Sequence, residues 1–197
     1  MDKQVLQALA KWPNVPHCYG WLGLDARGAW RMRDMHAQQQ GVLGDKIANP
    51  TLRAFINRNY QCDAEGRYFF QNGPQRVYVD LQSTPYIARF DPQSGWVLHT
   101  GHVLNKCDAV WMTEHGNVVL ISDDLVAQID DRDMLAAFAC MYLHGQLISD
   151  DQLLAWSLQP QAGLTFLFHQ QVVPVRYAEL NSLAQTYLFV SHPEAPR

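Results

Sequence analysis

The stretch Asp63-Ala64-Glu65-Gly66-Arg67-Tyr68-Phe69-Phe70-Gln71-Asn72-Gly73-Pro74-Gln75-Arg76-Val77-Tyr78-Val79-Asp80-Leu81 places aromatic and β-branched residues among polar ones on both sides of Asn72-Gly73. That is the pattern of two strands closed by a hairpin turn. The four residues that open it, Asp63 to Gly66, have an acid first and a glycine last, as a type I turn prefers. With Asn72-Gly73 as a two-residue loop, Phe69 pairs with Arg76 and Arg67 with Tyr78 on one face. Tyr68, Phe70, Val77, Val79 and Leu81 then share the opposite face, which is the core side. Pro74 has no N–H for the first ladder bond, so a wider loop is the alternative.

The same unit, an acidic or polar turn ending in or near Gly and then an apolar strand, recurs at Asp25–Met32, Asp91–Leu98 and Thr113–Leu120. Such recurrence points to duplication of a hairpin. Leu164–Phe168 and Val172–Arg176 read as a last hairpin. Helices are expected from Asp2 to Trp12, with Val5, Leu6, Leu9 and Trp12 on one face, and from Asn49-Pro50 to about Asn59, where Asn caps and Pro takes the first helical position. A third runs from Asp130, with Leu135, Phe138, Met141 and Tyr142 buried and Gly145 as its stop. Ser149 and Gln152 form a capping box for a fourth. A fifth spans about Ala178 to Phe189. Asp34–Lys46, with three consecutive glutamines, has no consistent period and reads as a loop, and the tail His192–Arg197 is expected to fray.

The expected fold is therefore α+β: repeated β-hairpins forming antiparallel sheets, each packed with capped amphipathic helices. Two halves, residues 1–84 and 85–197, are expected to pack together near Thr84-Pro85 without a flexible linker.

A chain of 197 residues buries roughly 70% of the surface its unfolded form exposes, enough for a core without staples. Its 48% hydrophobic and 17% charged residues are ordinary for a globular protein. A net charge of −4 lacks the basic excess that phosphate binding demands, so no nucleic acid is expected as partner. The start, MDKQVLQALAKW, has no basic-then-apolar leader pattern, and no stretch offers 18 unbroken apolar residues, so the expected location is cytoplasmic with no membrane contact. Cys18, Cys62, Cys107 and Cys140 are irregularly spaced, which suits reduced thiols in such a compartment.

The residues Trp12-Pro13-Asn14-Val15-Pro16, Trp21, Asp25, Gly28, Trp30, Ile47, Asn49, Leu52, Phe55-Ile56-Asn57-Arg58-Asn59, Asp63, Gly66 to Phe70, Gln71 to Val77 and Thr84-Pro85 resemble an uncharacterised proteobacterial family of domains of unknown function. The resemblance covers roughly Trp12 to Tyr86. The order of turns and an acid-x-x-Gly-x-Trp element are also similar to a second family of unknown function, with repeated hairpin motifs and a suggested link to signalling. Neither resemblance carries catalytic residues to this chain.

His99 and His102, with Cys107 and His115 nearby, are ligands suited to zinc, yet residues three apart on a strand face opposite ways, so ordinary turn histidines are the plainer reading and no metal is expected. His17 and Cys18 are adjacent and point apart on an extended segment, which argues against a nucleophile and its base. The pairs Asp123-Asp124, Asp130-Asp131 and Asp150-Asp151 stand where helix starts are expected and read as caps. No phosphate-cradling or dinucleotide glycine motif and no nucleophile elbow is present, so neither a cofactor nor a catalytic residue is assigned.

The most informative surface is the hairpin face with Arg67, Phe69, Gln71, Arg76 and Tyr78, with Arg58 nearby. Arginines beside aromatic rings suit an anionic or planar ligand, or they merely cover apolar surface with their stems. The reading is a non-catalytic ligand-binding or regulatory module, its partner a small anionic or aromatic ligand or another protein. An enzyme of unrecognised type and a structural protomer, pairing as a homodimer through exposed aromatic strands, are the alternatives.

Overall fold

A computed structural model describes residues 1–195, which form two compact units. One comprises Met1–Pro85 together with the tail from Leu188; the other is Tyr86–Tyr187.

The first unit opens with α1 (Lys3–Lys11), then β1 (Cys18–Leu24), β2 (Trp30–Met32), α2 (Met35–Gln40), β3 (Asp45–Lys46), α3 (Pro50–Arg58), β4 (Tyr60–Cys62), β5 (Tyr68–Asn72) and β6 (Gln75–Leu81). The strands form one sheet in the order β3-β2-β1-β6-β5-β4. Hairpins are antiparallel, and the parallel pair β1–β6 joins the two halves of the sheet. α3 packs on one face: Phe55 meets Phe70 edge-on at 5.3 Å, and the Trp30 indole N–H donates to Asn57 Oδ1 at 2.7 Å. Asn49 caps α3 through Leu52 N–H, with Pro50 at its first position, as the Asn-Pro pair predicts.

The second unit contains β7 (Tyr86–Asp91), β8 (Gly95–Leu98), β9 (Ala109–Met112), β10 (Val118–Ser122), β11 (Leu125–Ile129), a 3-10 turn Asp131–Asp133 leading into α4 (Met134–Phe138), β12 (Met141–Leu143), β13 (Gln146–Leu147), α5 (Asp150–Leu158), β14 (Leu164–Phe168), β15 (Gln171–Tyr177) and α6 (Leu180–Thr186). Its sheet order is β13-β12-β14-β15-β9-β10-β11-β7-β8, with β7–β11 and β9–β15 parallel. Its core holds Trp96, Leu104, Val110, Leu120, Met141, Trp156, Phe166 and Phe168. The Ser149–Gln152 capping box of α5 is complete.

Four local expectations need correction. The β5–β6 loop is Gly73-Pro74, pairing Asn72 with Gln75, Gln71 with Arg76 and Phe69 with Tyr78; Gly73 at φ +58 takes the first central position and Pro74, needing no N–H, the second. Asp34–Lys46 is not a loop: Asp34 accepts from Ala37 N–H, Gly41 ends the helix at φ +64, and the glutamines are helical. The helix from Asp130 stops at Phe138, leaving Leu135 83% exposed; His144 and Gly145, both at positive φ, reverse β12 into β13 instead of ending a helix. Asp123-Asp124 likewise turns β10 into β11, Asp123 adopting φ +52, a conformation that Asp tolerates.

The chain-order division at residue 84/85 also misplaces the tail. Val190 N–H donates to Gly66 O, Leu81 N–H donates to Ser191 O, and Val190 forms a parallel bridge with Arg67. These bonds satisfy backbone groups at the end of the first sheet and tie 188–191 to it; the tail expected to fray begins at His192, and its residues 196 and 197 lie outside the described residues.

Gly66 is essential to that tie, because at φ +76 a Cβ would sit 1.8 Å from Leu188 O. Gly116 has a similar φ of +74 with nothing within 4 Å. Gly116→Ala is expected to cost about 1–2 kcal/mol, the left-handed penalty alone. Gly66→Ala should cost at least about twice that figure, and denaturant midpoints of the two variants measure the difference.

Candidate functional site

Asp25 and Asp63 build the same turn twice. Asp63 Oδ1 accepts from Glu65 N–H and Arg67 N–H, both at 3.0 Å, while Oδ2 accepts from Arg67 Nε at 2.9 Å. Asp25 Oδ1 accepts from Arg27 and Ala29 N–H, and Oδ2 from Arg31 Nε at 2.7 Å. In both turns the fourth residue, Gly28 or Gly66, returns its N–H to the acid's carbonyl. Burial alone would raise the Asp63 carboxyl, but the Arg67 side chain and N–H, Tyr78 OH and Glu65 N–H together hold it below its ordinary value.

The two-residue change in register is even, so Arg67, Phe69, Gln71, Arg76 and Tyr78 keep their common face. Diagonal contacts restore the expected partners: the Arg76 guanidinium lies 4.5 Å over the Phe69 ring and that of Arg67 5.0 Å over Tyr78. Phe69, Gln71 and Tyr78 are buried, and Gln71 donates to Gly73 O, so these three form the floor rather than an open surface. Arg67 is bound to Asp63 at 2.8 Å and to Glu65 at 2.9 Å. Arg58 stands apart on α3, paired with Asp2 at 3.2 Å.

Arg76 differs from its neighbours: among the described residues no carboxylate pairs with it. The parallel β1–β6 pair brings it two further rings. Tyr19 stacks on Tyr78 at 4.6 Å and 9°, and His17 meets Tyr78 edge-on at 5.8 Å. Partial desolvation, then the charges of Arg76 and Arg67, lower the His17 pKa from its ordinary 6.5. His17 and Tyr19 were missed as site residues because only the join of β1 to β6 brings them here.

Further along this side of the sheet, Arg33 pairs with Asp80. A cavity of about 560 Å³ is lined by Gly23, Arg33, Val42, Leu43, Asp80 and His192 among others, and one of about 360 Å³ by Tyr19, Gly20, Gln38 and the tail residues His192–Ala195, again with Arg33 and Asp80.

The remaining candidates do not converge. No group of three or more His, Cys, Asp or Glu among the described residues is placed to hold a metal. Cys107 is buried with its thiol pushed up to about 12 by burial, while His115 is exposed. All four cysteines are free thiols. No helix among the described residues is long and apolar enough to cross a membrane.

The fold and this face define an α+β hairpin module with a basic, aromatic sheet surface. The chain belongs to the family DUF2944, described as "Protein of unknown function (DUF2946)", which it matches over residues 1–194. The resemblance read from Trp12 to Tyr86 thus extends over nearly the whole sequence. No curated protein matches. A DUF1285 family protein from Silicibacter pomeroyi DSS-3 has a similar structure, with TM-score 0.51 and 11% identity over 86% of each chain. One of the same family from Shewanella baltica OS155 gives TM-score 0.41 and 15% identity over 59% of this chain and 88% of that one. The first of these likenesses shows a shared fold.

Arg67→Gln should lower stability by about 1.5–3 kcal/mol, the range for hydrogen bonds to a charged group, whereas Arg76→Gln should cost no more than about 1 kcal/mol, the worth of an exposed cation–π contact. Chemical unfolding of both variants checks this. The lowered His17 pKa means the unfolded chain binds more protons below about pH 6.5. Stability should therefore fall as pH drops through that window, less so in His17→Gln, as melting curves from pH 7.5 to 5 will measure.

Proposed function

We propose that the chain is a non-catalytic ligand-binding or regulatory module whose ligand is a small anion with a planar aromatic part. The ligand docks at Arg76, between Tyr19, His17 and the Phe69–Tyr78 floor. What carries this reading is a guanidinium held over an aromatic ring without a carboxylate partner among the described residues. Such a group offers a planar fork to an anion, and the exposed His17 ring and half-buried Tyr19 ring offer stacking surface. Arg67, saturated by Asp63 and Glu65, orders the site rather than binding. A cytoplasmic location accords with the four free thiols.

An enzyme would need a nucleophile or acid–base pair brought together, and the buried Cys107 thiol with its pKa about 12 is a poor nucleophile. The module reading is tested by thermal melting with benzoate, 4-hydroxybenzoate and phthalate. The parent is expected to melt higher as ligand rises, and a bound anion should raise the His17 pKa measured by NMR. Arg76→Gln should melt, without ligand, within about 4 °C of the parent and lose both responses. A variant that responds as the parent does overturns the assignment.

A further inference from the structure

Gly23 occupies the interior of β1, in register with Arg31 on β2 and Asp80 on β6. Glycine there weakens a strand, since it fixes a freely rotating backbone and packs nothing. Two structural reasons for glycine are absent. Its φ is not positive, and a Cβ would meet Arg33 Cδ and Asp80 O at 3.5 Å and Arg31 Cβ at 3.7 Å, all ordinary contacts. By contrast, Gly20 and Gly44 each combine positive φ with a close neighbour, Gln38 Oε1 at 2.8 Å and Met32 O at 2.2 Å. What the missing side chain at Gly23 does leave is room, because Gly23 lines the cavity of about 560 Å³. A strand glycine with no backbone need often marks the close approach of a ligand, and that volume lies in the range of small-molecule sites.

The lining states the chemistry of the occupant. Arg33 and Asp80 stand side by side as an ion pair, both largely buried at 14% and 15% side-chain exposure. Arg33 Nε also donates to Val42 O at 3.3 Å, which ties the pair to the apolar loop. His192 Nδ1 lies 3.9 Å from Asp80 Oδ1. Val42, 50% exposed, and Leu43, 41% exposed, form an apolar rim. A simple anion entering here meets the Asp80 carboxylate, and a simple cation meets Arg33, each with repulsion beside attraction. A molecule bearing both charges on neighbouring atoms meets a complement for each.

We infer that this cavity binds a zwitterionic α-amino acid with an apolar side chain. The ligand carboxylate lies toward Arg33, the ammonium toward Asp80, and the side chain against Val42 and Leu43. The site is separate from the Arg76 surface and goes beyond the function proposed above.

The test uses the full chain with leucine, methionine and phenylalanine as probes, and with 4-methylpentanoate and 3-methylbutylamine as the analogues of leucine lacking the ammonium or the carboxylate. Isothermal titration should detect leucine binding at least tenfold tighter than either analogue. Gly23→Leu, whose side chain starts beside Arg33, should abolish it. Leu43→Asp, on an exposed loop, should weaken it at least tenfold with the parent's melting temperature kept, and this variant decides the matter if Gly23→Leu folds poorly. Arg76→Gln should bind leucine as the parent does, which separates failure here from failure of the anion site. No binding of any of the three amino acids, equal binding of 4-methylpentanoate, or unchanged binding in Leu43→Asp overturns the inference.

Discussion

A carboxylate at the first position of a tight turn is the interaction on which this structure depends. Reversing a strand in four residues leaves backbone N–H groups inside the turn with no ladder partner, and an unsatisfied buried donor costs about 1–3 kcal/mol. At Asp25 and Asp63 one carboxylate oxygen takes two of these donors and the other takes an arginine. The arginine is needed because a carboxylate withdrawn from water is costly unless charge and hydrogen bonds offset the loss. Asp130, 0% exposed, repeats the device before the 3-10 turn, with Arg132 N–H at 3.0 Å and Nε at 2.9 Å on Oδ1. At the fourth recurrence the acid is replaced by Thr113, whose buried hydroxyl has no hydrogen-bond partner among the described residues.

These turns fix more than strand reversal. Holding Arg67 at both carboxylate and backbone places its guanidinium over Tyr78, whose hydroxyl donates to the same Asp63 oxygen at 3.0 Å. Tyr78 in turn is the ring on which Tyr19 stacks and beside which His17 sits. Burial raises the Tyr78 pKa and outweighs the opposing hydrogen bond from Arg76, so the hydroxyl remains a donor to Asp63. The basic face is therefore built around arginines whose charge is spent locally, at Arg31 and Arg67. Against that background Arg76 stands out.

Parallel pairing of β1 with β6 is the second determinant. It sets Gly23 against Asp80, and with them Tyr19 beside Tyr78, across more than fifty residues of chain. Both the Arg76 surface and the Gly23 cavity are assembled by that one pairing. The tail contributes His192 to the cavity because Ser191 is bonded to Leu81.

The sequence by itself determined the local elements: the acid-to-glycine turns, the Asn49-Pro50 start of α3, the Ser149–Gln152 capping box and the face shared by Arg67, Phe69, Gln71, Arg76 and Tyr78. All of these rest on hydrogen bonds or side-chain alternation within a few residues, and alternation survives the register change because the shift is an even number. The helical glutamines after Asp34 were less legible because the segment has no apolar period; Asp123 at positive φ lacks the glycine signature of a turn, and Gly145 suits a helix stop as well as the hairpin turn it makes with His144. Tertiary structure alone decided which side chains of that face are buried, that Arg58 lies elsewhere with Asp2, and that His17, Tyr19, Gly23, Arg33 and His192 gather along β6. The physical reason is that parallel pairing and tail docking satisfy backbone groups far apart in the chain, and no pattern within either segment specifies the partner that it will meet.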